Sequence, residues 1–202
     1  HGNSDKGHDS LWMEHYADED LVLVYGKKMQ DFALAKGGKP RQGFVSIGNF
    51  RLNYYLEHRK SYNLLVKQEV MSQFGKRQKT FLYAPTWLDG EGSGSFASSV
   101  RAVLAALPDD CNLIIKPHTR TTMDELGLYT HVSERYREWD NVIFLEDFPL
   151  IYPLLAAVDG YIGDMSSIGY DFLYFDRPMV FLNPLGKDRG SPSLQLSRCG
   201  TL

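Results

Sequence analysis

The chain has 202 residues, of which 43% are hydrophobic, and it carries a formal net charge of −3. This length and composition predict one large globular domain, or one domain plus part of another. The small negative charge excludes a bulk attraction to nucleic acid. No apolar run approaches the roughly 20 residues that span a bilayer. Cys111 and Cys199 match no metal spacing and are typical of reduced, cytosolic thiols.

The N-terminal segment is polar and rich in glycine. It is predicted to form a loop that holds His1 and Lys6 close together. His1, His8 and His15 recur every seven residues, which would align them only in a helix. Because glycine disfavours helix, the spacing argues against a metal site. The chain begins without Met and ends without a finished element, so we expect it to be a piece of a longer protein.

Two strands and two helices are predicted before residue 80. They are a strand over 21–25, a helix over 27–36, a strand over 44–47 and a long polar helix from 52 to about 79. The charged run at 76–79 is typical of a solvated connection. We therefore predict a domain boundary here, with residues 1–75 closing one domain and 76–202 forming another.

A regular alternation of strands and helices follows residue 80. Strands are predicted over 80–84, 112–116, 142–145, 161–162 and 178–182, and helices over 96–107, 122–139, 148–157 and from Ser166 onward. This alternation predicts a parallel, doubly wound sheet with right-handed crossovers. The Gly-rich loop at 89–95 lacks the spacing of a known nucleotide fingerprint, so it is equally compatible with a mobile surface loop.

The stretch from Asp159 to Pro178 predicts a strand, a tight turn and a helix that begins at Ser166 and Ser167. The first amides of a helix lack partners inside it, and the helix dipole favours negative charge there. Together with two hydroxyls they would form a phosphate-sized anion site. The alternative is that Asp164 or Ser166 merely caps the helix. His118 follows a predicted strand, at the edge where open α/β sheets bind ligands.

Five short motifs occur in one order. They are His-Gly-x-x-x-Lys (1–6), Gly-x-x-Arg-x-Asn (48–53), Leu-Tyr-Ala-Pro-Thr-Trp (82–87), Lys-x-His (116–118) and Asp-x-Ser-Ser-x-x-x-Asp-x-x-x-x-x-Arg-Pro (164–178). With these motifs the chain resembles the CDP-glycerol glycerophosphotransferase family, which includes teichoic-acid primases and polymerases and related capsule polymerases.

The resemblance implies a GT-B fold, with two Rossmann-like domains facing a cleft. The chain would hold the tail of the acceptor domain and most of the donor domain, without its C-terminal part. The family's essential histidines correspond to His1 and His118, and its phosphate-holding serines to Ser166 and Ser167. Three of the motifs depart from the family pattern: Gly163 and Met165 replace Thr and Tyr, Thr119 replaces Pro, and Asn3-Ser4 replaces Thr-Pro.

The implied reaction moves an alcohol phosphate, such as glycerol phosphate, from a CDP-linked donor to a hydroxyl of a cell-wall or capsule polymer and releases CMP. His1 would accept the proton of the acceptor hydroxyl, and His118 would stabilise the negative charge on the leaving group. The donor-phosphate residues would be Asp164, Ser166, Ser167 and Arg120. Fold analogy suggests Phe144, Glu146 and Asp147 for the nucleobase or ribose. Asp171 is expected to orient a neighbour instead of touching substrate.

No cofactor or metal is required by this interpretation. The implied partners are a CDP-linked donor and a lipid-linked polymer acceptor, with no nucleic acid. The implied location is the cytoplasmic face of the bacterial membrane, with peripheral contacts through parts outside this chain. Two alternatives remain: a GT-B nucleotide-sugar glycosyltransferase or epimerase, and a non-catalytic nucleotide-binding module.

Overall fold

A computed structural model describes residues 12–76, 78–88, 92, 94–148 and 150–202. Within them, two parallel strands, β1 (Val22–Val24) and β2 (Phe44–Ser46), form a small sheet beside helix α1 (Lys27–Ala35). Helix α2 (Phe50–Glu69) then leads to the larger sheet. The remaining helices are α3 (Phe96–Ala105), α4 (Thr119–Asp124), α5 (Leu126–Arg135), α6 (Ile151–Ala157) and α7 (Ser167–Phe172).

The larger sheet confirms the predicted parallel, doubly wound architecture. Its strands are β3 (Lys79–Ala84), β4 (Cys111–Ile115), β5 (Val142–Phe144), β6 (Gly160–Gly163) and β7 (Met179–Phe181). The spatial order is β5-β4-β3-β6-β7, and all four pairings are parallel. The chain therefore adds β4 and β5 on one side of β3, and then returns to the centre and adds β6 and β7 on the other side.

Side chains alternate between two cores on opposite faces of the sheet, because successive strand residues point in opposite directions. In β3, Leu82 and Ala84 join the core formed with α2, α6 and α7, whereas Tyr83 joins the core formed with α3 and α5. In β4, Ile114 and Ile115 divide in the same way. Helices thus cover both faces, which explains why residues 81–84 of β3 and 113–115 of β4 are continuously apolar.

Two predicted helices end differently in the structure. The helix predicted to continue to residue 79 ends at Glu69, and a short 3-10 turn (Met71–Gln73) and Gly75 lead into β3. The helix predicted over 122–139 divides into α4 and α5 at Glu125, whose backbone leaves helical geometry at φ −118° and ψ 31°. Gly127 lowers the helix propensity just after this break. The proposed domain boundary near residue 75 stays a prediction.

An ion pair with a buried carboxylate and a partly exposed guanidinium joins the start of α2 to α7. Arg51 Nη2 lies 2.8 Å from Asp171 Oδ2, and the Asp171 carboxylate is 1% exposed. Tyr152 Oη of α6 donates to Asp171 Oδ1 at 2.6 Å, and Asn49 Nδ2 donates to Tyr152 Oη at 2.7 Å. Burial raises the pKa of Tyr152, and the adjacent Asp171 carboxylate raises it further. These contacts agree with the expectation that Asp171 orients neighbouring groups.

We expect Asp171→Ala to lower the free energy of unfolding by about 2 kcal/mol, because the partly buried Arg51 guanidinium loses its carboxylate and the Tyr152 hydroxyl loses one of its two acceptors, Asp171 and Asn49. The double replacement Arg51→Met with Asp171→Leu should recover much of that loss, since no unpaired charge remains. Urea denaturation measures both effects.

The control is Arg41→Ala, which removes an ion pair with Asp20 whose side chains are 68% and 67% exposed. It should change the unfolding free energy by less than about 0.5 kcal/mol. Equal losses for Asp171→Ala and Arg41→Ala would show that the junction of α2, α6 and α7 is not a stabilising contact.

Candidate functional site at the carboxyl edge of the sheet

The centre of the sheet has a topological switch point between β3 and β6. These strands pair with Ala84 opposite Gly163, and their chains continue in opposite directions across the sheet. Open parallel sheets bind ligands in the crevice outside the carboxyl ends of such a strand pair. The segments that follow β3 and β6 begin with Pro85 and Asp164, so these two loops form the walls of the crevice.

Asp164 links the loops on the two sides of the switch point. Its side chain is fully buried, and Oδ2 accepts hydrogen bonds from the backbone amides of Thr86 (2.7 Å) and Ser95 (3.2 Å). Ser95 is held further by its hydroxyl, 2.8 Å from Tyr83 Oη. The carboxylate therefore fixes both ends of the loop between β3 and α3. Its burial and negative charge favour an indirect role over contact with a phosphate.

Ser166 and Ser167 lie where the predicted turn meets the helix. Ser166 is the N-cap of α7, with an extended backbone, and its carbonyl accepts from the amide of Gly169 at 3.1 Å. The Ser166 side chain is 6% exposed, and its Oγ lies 3.4 Å from Tyr161 Oη. Ser167 is the first residue of α7 and is half-buried. The predicted strand, turn and helix are confirmed, and the hydroxyl pair lies at the carboxyl end of β6.

His118 lies at the carboxyl end of β4, on the other side of the loop that follows β3. Its backbone amide donates to the carbonyl of Pro85 at 3.2 Å, which extends the pairing of β3 and β4 beyond the strands. Its side chain caps α4, because Nδ1 accepts from the backbone amide of Arg120 at 3.1 Å. A neutral imidazole with Nδ1 as acceptor carries its proton on Nε2. His118 is thus arranged as a hydrogen-bond donor through Nε2.

Arg120 and Trp87 form a cation–π pair beside His118. The guanidinium carbon of Arg120 lies 4.1 Å from the centroid of the Trp87 ring. The Trp87 and His118 ring centroids are 6.3 Å apart. Arg120 also lies 3.7 Å from the carboxylate of Asp124, one turn along α4. An indole, an imidazole and a guanidinium therefore lie together at the crevice.

The predicted nucleobase residues follow β5, one strand beyond His118. Phe144 ends the strand and is half-buried, and Glu146 and Asp147 are exposed. Burial raises the pKa of Tyr129, and hydrogen bonding to Glu146 raises it further. Burial lowers the pKa of Lys116, and Asp147 partly opposes this effect. Glu146 thus interacts with Tyr129 of α5, and Asp147 interacts electrostatically with Lys116, just after β4.

The structure brings His118, Arg120, Asp164, Ser166 and Ser167 to one edge of the sheet, with Phe144, Glu146 and Asp147 farther along it. Since neighbouring strands lie about 4.8 Å apart, the ends of β6 and β4 are separated by about 10 Å, the scale of a nucleoside diphosphate. His1 lies outside the described residues, so its placement stays a prediction.

Sequence reasoning missed two features of this site. It assigned no role to Trp87, although the motif Leu-Tyr-Ala-Pro-Thr-Trp was recognised, and it did not foresee that Asp164 binds the amides of Thr86 and Ser95. The motif could have indicated a functional tryptophan. The contact with Ser95 depends on two segments separated by 69 residues, which no local pattern reveals.

The sequence model of the family described as CDP-Glycerol:Poly(glycerophosphate) glycerophosphotransferase matches residues 38–185. The chain belongs to this family. Two curated relatives are a teichoic acid glycerol-phosphate transferase of Staphylococcus aureus, 30% identical over 110 residues, and a teichoic acid ribitol-phosphate primase of Bacillus spizizenii, 33% identical over 109 residues. These alignments cover 52% and 54% of this chain but only 26% and 27% of the relatives.

A solved structure of the wall teichoic acid polymerase TagF, an H444N variant soaked with CDPG, superposes with a TM-score of 0.63 at 17% identity. The superposition covers 96% of this chain and 46% of that polymerase chain. At this identity the likeness establishes the fold, which is the expected GT-B type. The chain thus spans about a quarter of its curated relatives and about half of the polymerase. Among the described residues, no helix is both long and apolar enough to cross a membrane.

Replacing Asp164 with Ala should expose the backbone amides of Thr86 and Ser95 to hydrogen exchange, because each loses its buried acceptor. We expect the unfolding free energy to fall by about 2–4 kcal/mol, because two buried amides are left without an acceptor. Exchange measured residue by residue, together with chemical denaturation, tests this expectation.

The chain offers a matched control at the opposite edge of the sheet. Asp159, just before β6, accepts from the amide of Thr80 in β3 at 2.9 Å. Asp159→Ala should affect exchange at Thr80 and leave Thr86 and Ser95 protected. If Asp164→Ala left both of these amides as protected as before, the bracing role of Asp164 would be wrong.

Proposed function

We propose that this chain is part of a transferase that moves glycerol phosphate, or a similar alcohol phosphate, from a CDP-linked donor to a hydroxyl of a cell-wall or capsule polymer. The observation that carries the proposal is the convergence of the Ser166–Ser167 turn and the His118–Arg120 turn at the switch point of a parallel sheet. Family membership supports the same reaction class.

The donor diphosphate would lie across the ends of β3, β4 and β6. The amides and hydroxyls at the start of α7 would bind phosphate oxygens near Ser166 and Ser167. His118 would donate from Nε2 to the same group, and Arg120 would supply a planar cation suited to two phosphate oxygens. Asp164 would act indirectly, by holding the loops on both sides of the diphosphate.

In the chemical step, the acceptor oxygen attacks the distal phosphorus of the donor. A new P–O bond forms, and the bond from that phosphorus to the bridging oxygen breaks. The bridging oxygen keeps the electron pair and leaves as part of CMP, where the His118 N–H stabilises the developing charge. The acceptor hydroxyl loses its proton to a base, and the family motif assigns this role to His1. In-line placement of the two oxygens supplies much of the acceleration.

The loop after β5 would bind the cytidine part of the donor, since it continues the same edge beyond His118. Phe144 could contact the base, and Glu146 and Asp147 could accept hydrogen bonds from the ribose or the base. A lipid-linked polymer at the cytoplasmic face of the membrane would be the acceptor. Residues 1–75 would belong to the acceptor-side domain, and residues 76–202 to the donor domain.

The variant His118→Asn tests the proposed role with little disturbance of the fold, because Asn is a preferred helix N-cap and can replace the Nδ1 contact. It removes Nε2, so we expect the rate of CMP release to fall about 10²- to 10⁴-fold in the full-length protein. His131→Asn, at an exposed position of α5, should leave the rate unchanged. Thermal melting confirms that both variants fold.

Product analysis with CDP-glycerol labelled in the cytidine separates this function from its rivals. CMP as the labelled product agrees with attack on the distal phosphorus. With a nucleotide-sugar donor, release of the whole nucleoside diphosphate would instead identify a glycosyltransferase. Binding of CDP without turnover of any donor would identify a non-catalytic module, and the transferase proposal would then be wrong.

A further inference from the structure

Trp87 has no role in the reaction described above, although it lies at the switch point. It follows Thr86, whose amide is bound by the buried Asp164. On the other arm of the same loop, a Cβ added to Gly94 would come within 2.9 Å of the Trp87 carbonyl carbon and 3.0 Å of the Thr86 carbonyl oxygen. The two arms of the loop are therefore in close contact, and the backbone that carries Trp87 is fixed from both sides.

The indole ring lies against Arg120 and His118, the two side chains that follow β4. The Arg120 guanidinium carbon lies 4.1 Å from its centroid, and the His118 ring lies 6.3 Å away at an interplanar angle of 41°. An arginine side chain has many rotamers, and fixing one of them costs conformational entropy. Tryptophan provides the best π-face for a cation, and the planar guanidinium can stack on it.

Arg120 has a second and weaker partner among the described residues. Asp124 lies at 3.7 Å on the same helix, and both side chains are 57% exposed. An exposed pair at i,i+4 contributes little and is screened by salt. The contact with Asp124 would also orient the guanidinium parallel to α4, away from the loop after β3. The indole contact comes from the loop after β3, which lies across the crevice from α4.

We propose that Trp87 is a positioning residue that holds the Arg120 guanidinium at the carboxyl edge of the sheet before the donor diphosphate binds. This inference rests on the proposed function and adds a residue to it. A preorganised cation avoids the ordering cost at the moment of binding. Trp87 thus acts on donor affinity through Arg120, and the buried Asp164 fixes the loop on which it is carried.

A pair of variants of similar bulk isolates the π-face: Trp87→Phe keeps an aromatic ring, and Trp87→Leu does not. In the full-length protein, Trp87→Leu should raise the Kd for CDP and the KM for CDP-glycerol about three- to tenfold, with a smaller change in kcat. Trp87→Phe should recover most of this loss. Asp124→Asn should change either quantity less than about twofold.

A double-mutant cycle with Arg120→Met decides the question. If Trp87 acts through Arg120, adding Trp87→Leu to Arg120→Met causes no further loss of CDP affinity. If the two losses multiply, or if Trp87→Phe binds CDP as weakly as Trp87→Leu, the positioning role is wrong. A native protein that binds no CDP would instead overturn the proposed function itself, and this inference with it.

Discussion

A single buried carboxylate connects the architecture to the site. The Asp164 side chain comes from the end of β6, yet its hydrogen bonds go to amides at the two ends of the loop after β3. A carboxylate without access to water is costly unless donors satisfy it. The loops that enclose the crevice must therefore keep the geometry that supplies those amides. The same contact fixes the turn that leads into Ser166 and the backbone that leads into Trp87.

The second constraint acts on the opposite end of α7. Asp171 lies one turn beyond Ser167 and is tied to Arg51 at the start of α2 and to Tyr152 of α6. Lys28 of α1 lies 5.6 Å from the ring of Tyr170, the residue before Asp171. The short helix that begins with the serine pair is thus held near its C-terminus by α6 and by two elements from the first half of the chain, α1 and α2.

Much of this architecture could be predicted from the sequence. Apolar runs bounded by glycine, proline and polar residues identify all five strands of the large sheet, and the alternation with helices predicts their parallel arrangement. The edge at which His118 and Ser166 lie follows from the same logic, since the carboxyl ends of parallel strands lie at one edge. The family resemblance added the assignment of those residues to a diphosphate.

The remainder depends on contacts between distant segments. The local sequence around Asp164 is compatible with a helix cap or a phosphate ligand. Only the packing of β3 beside β6 shows that Asp164 is buried against Thr86 and Ser95. The role of Arg51 likewise depends on a partner 120 residues away. The sequence of 122–139 has a continuous helical periodicity, so it gave no sign of the break at Glu125. In the structure, His118 caps the short helix α4, and α5 begins separately after Glu125.

The most direct test of the account is a crystal structure of the full-length protein with CDP bound. We expect the diphosphate to lie outside the carboxyl ends of β3, β4 and β6, with its oxygens within about 3.2 Å of Ser166 or Ser167 and of His118 Nε2. A diphosphate bound elsewhere, for example in the 360 Å³ cavity between Phe50 and Leu150, with His118 and the serine pair untouched, would contradict it.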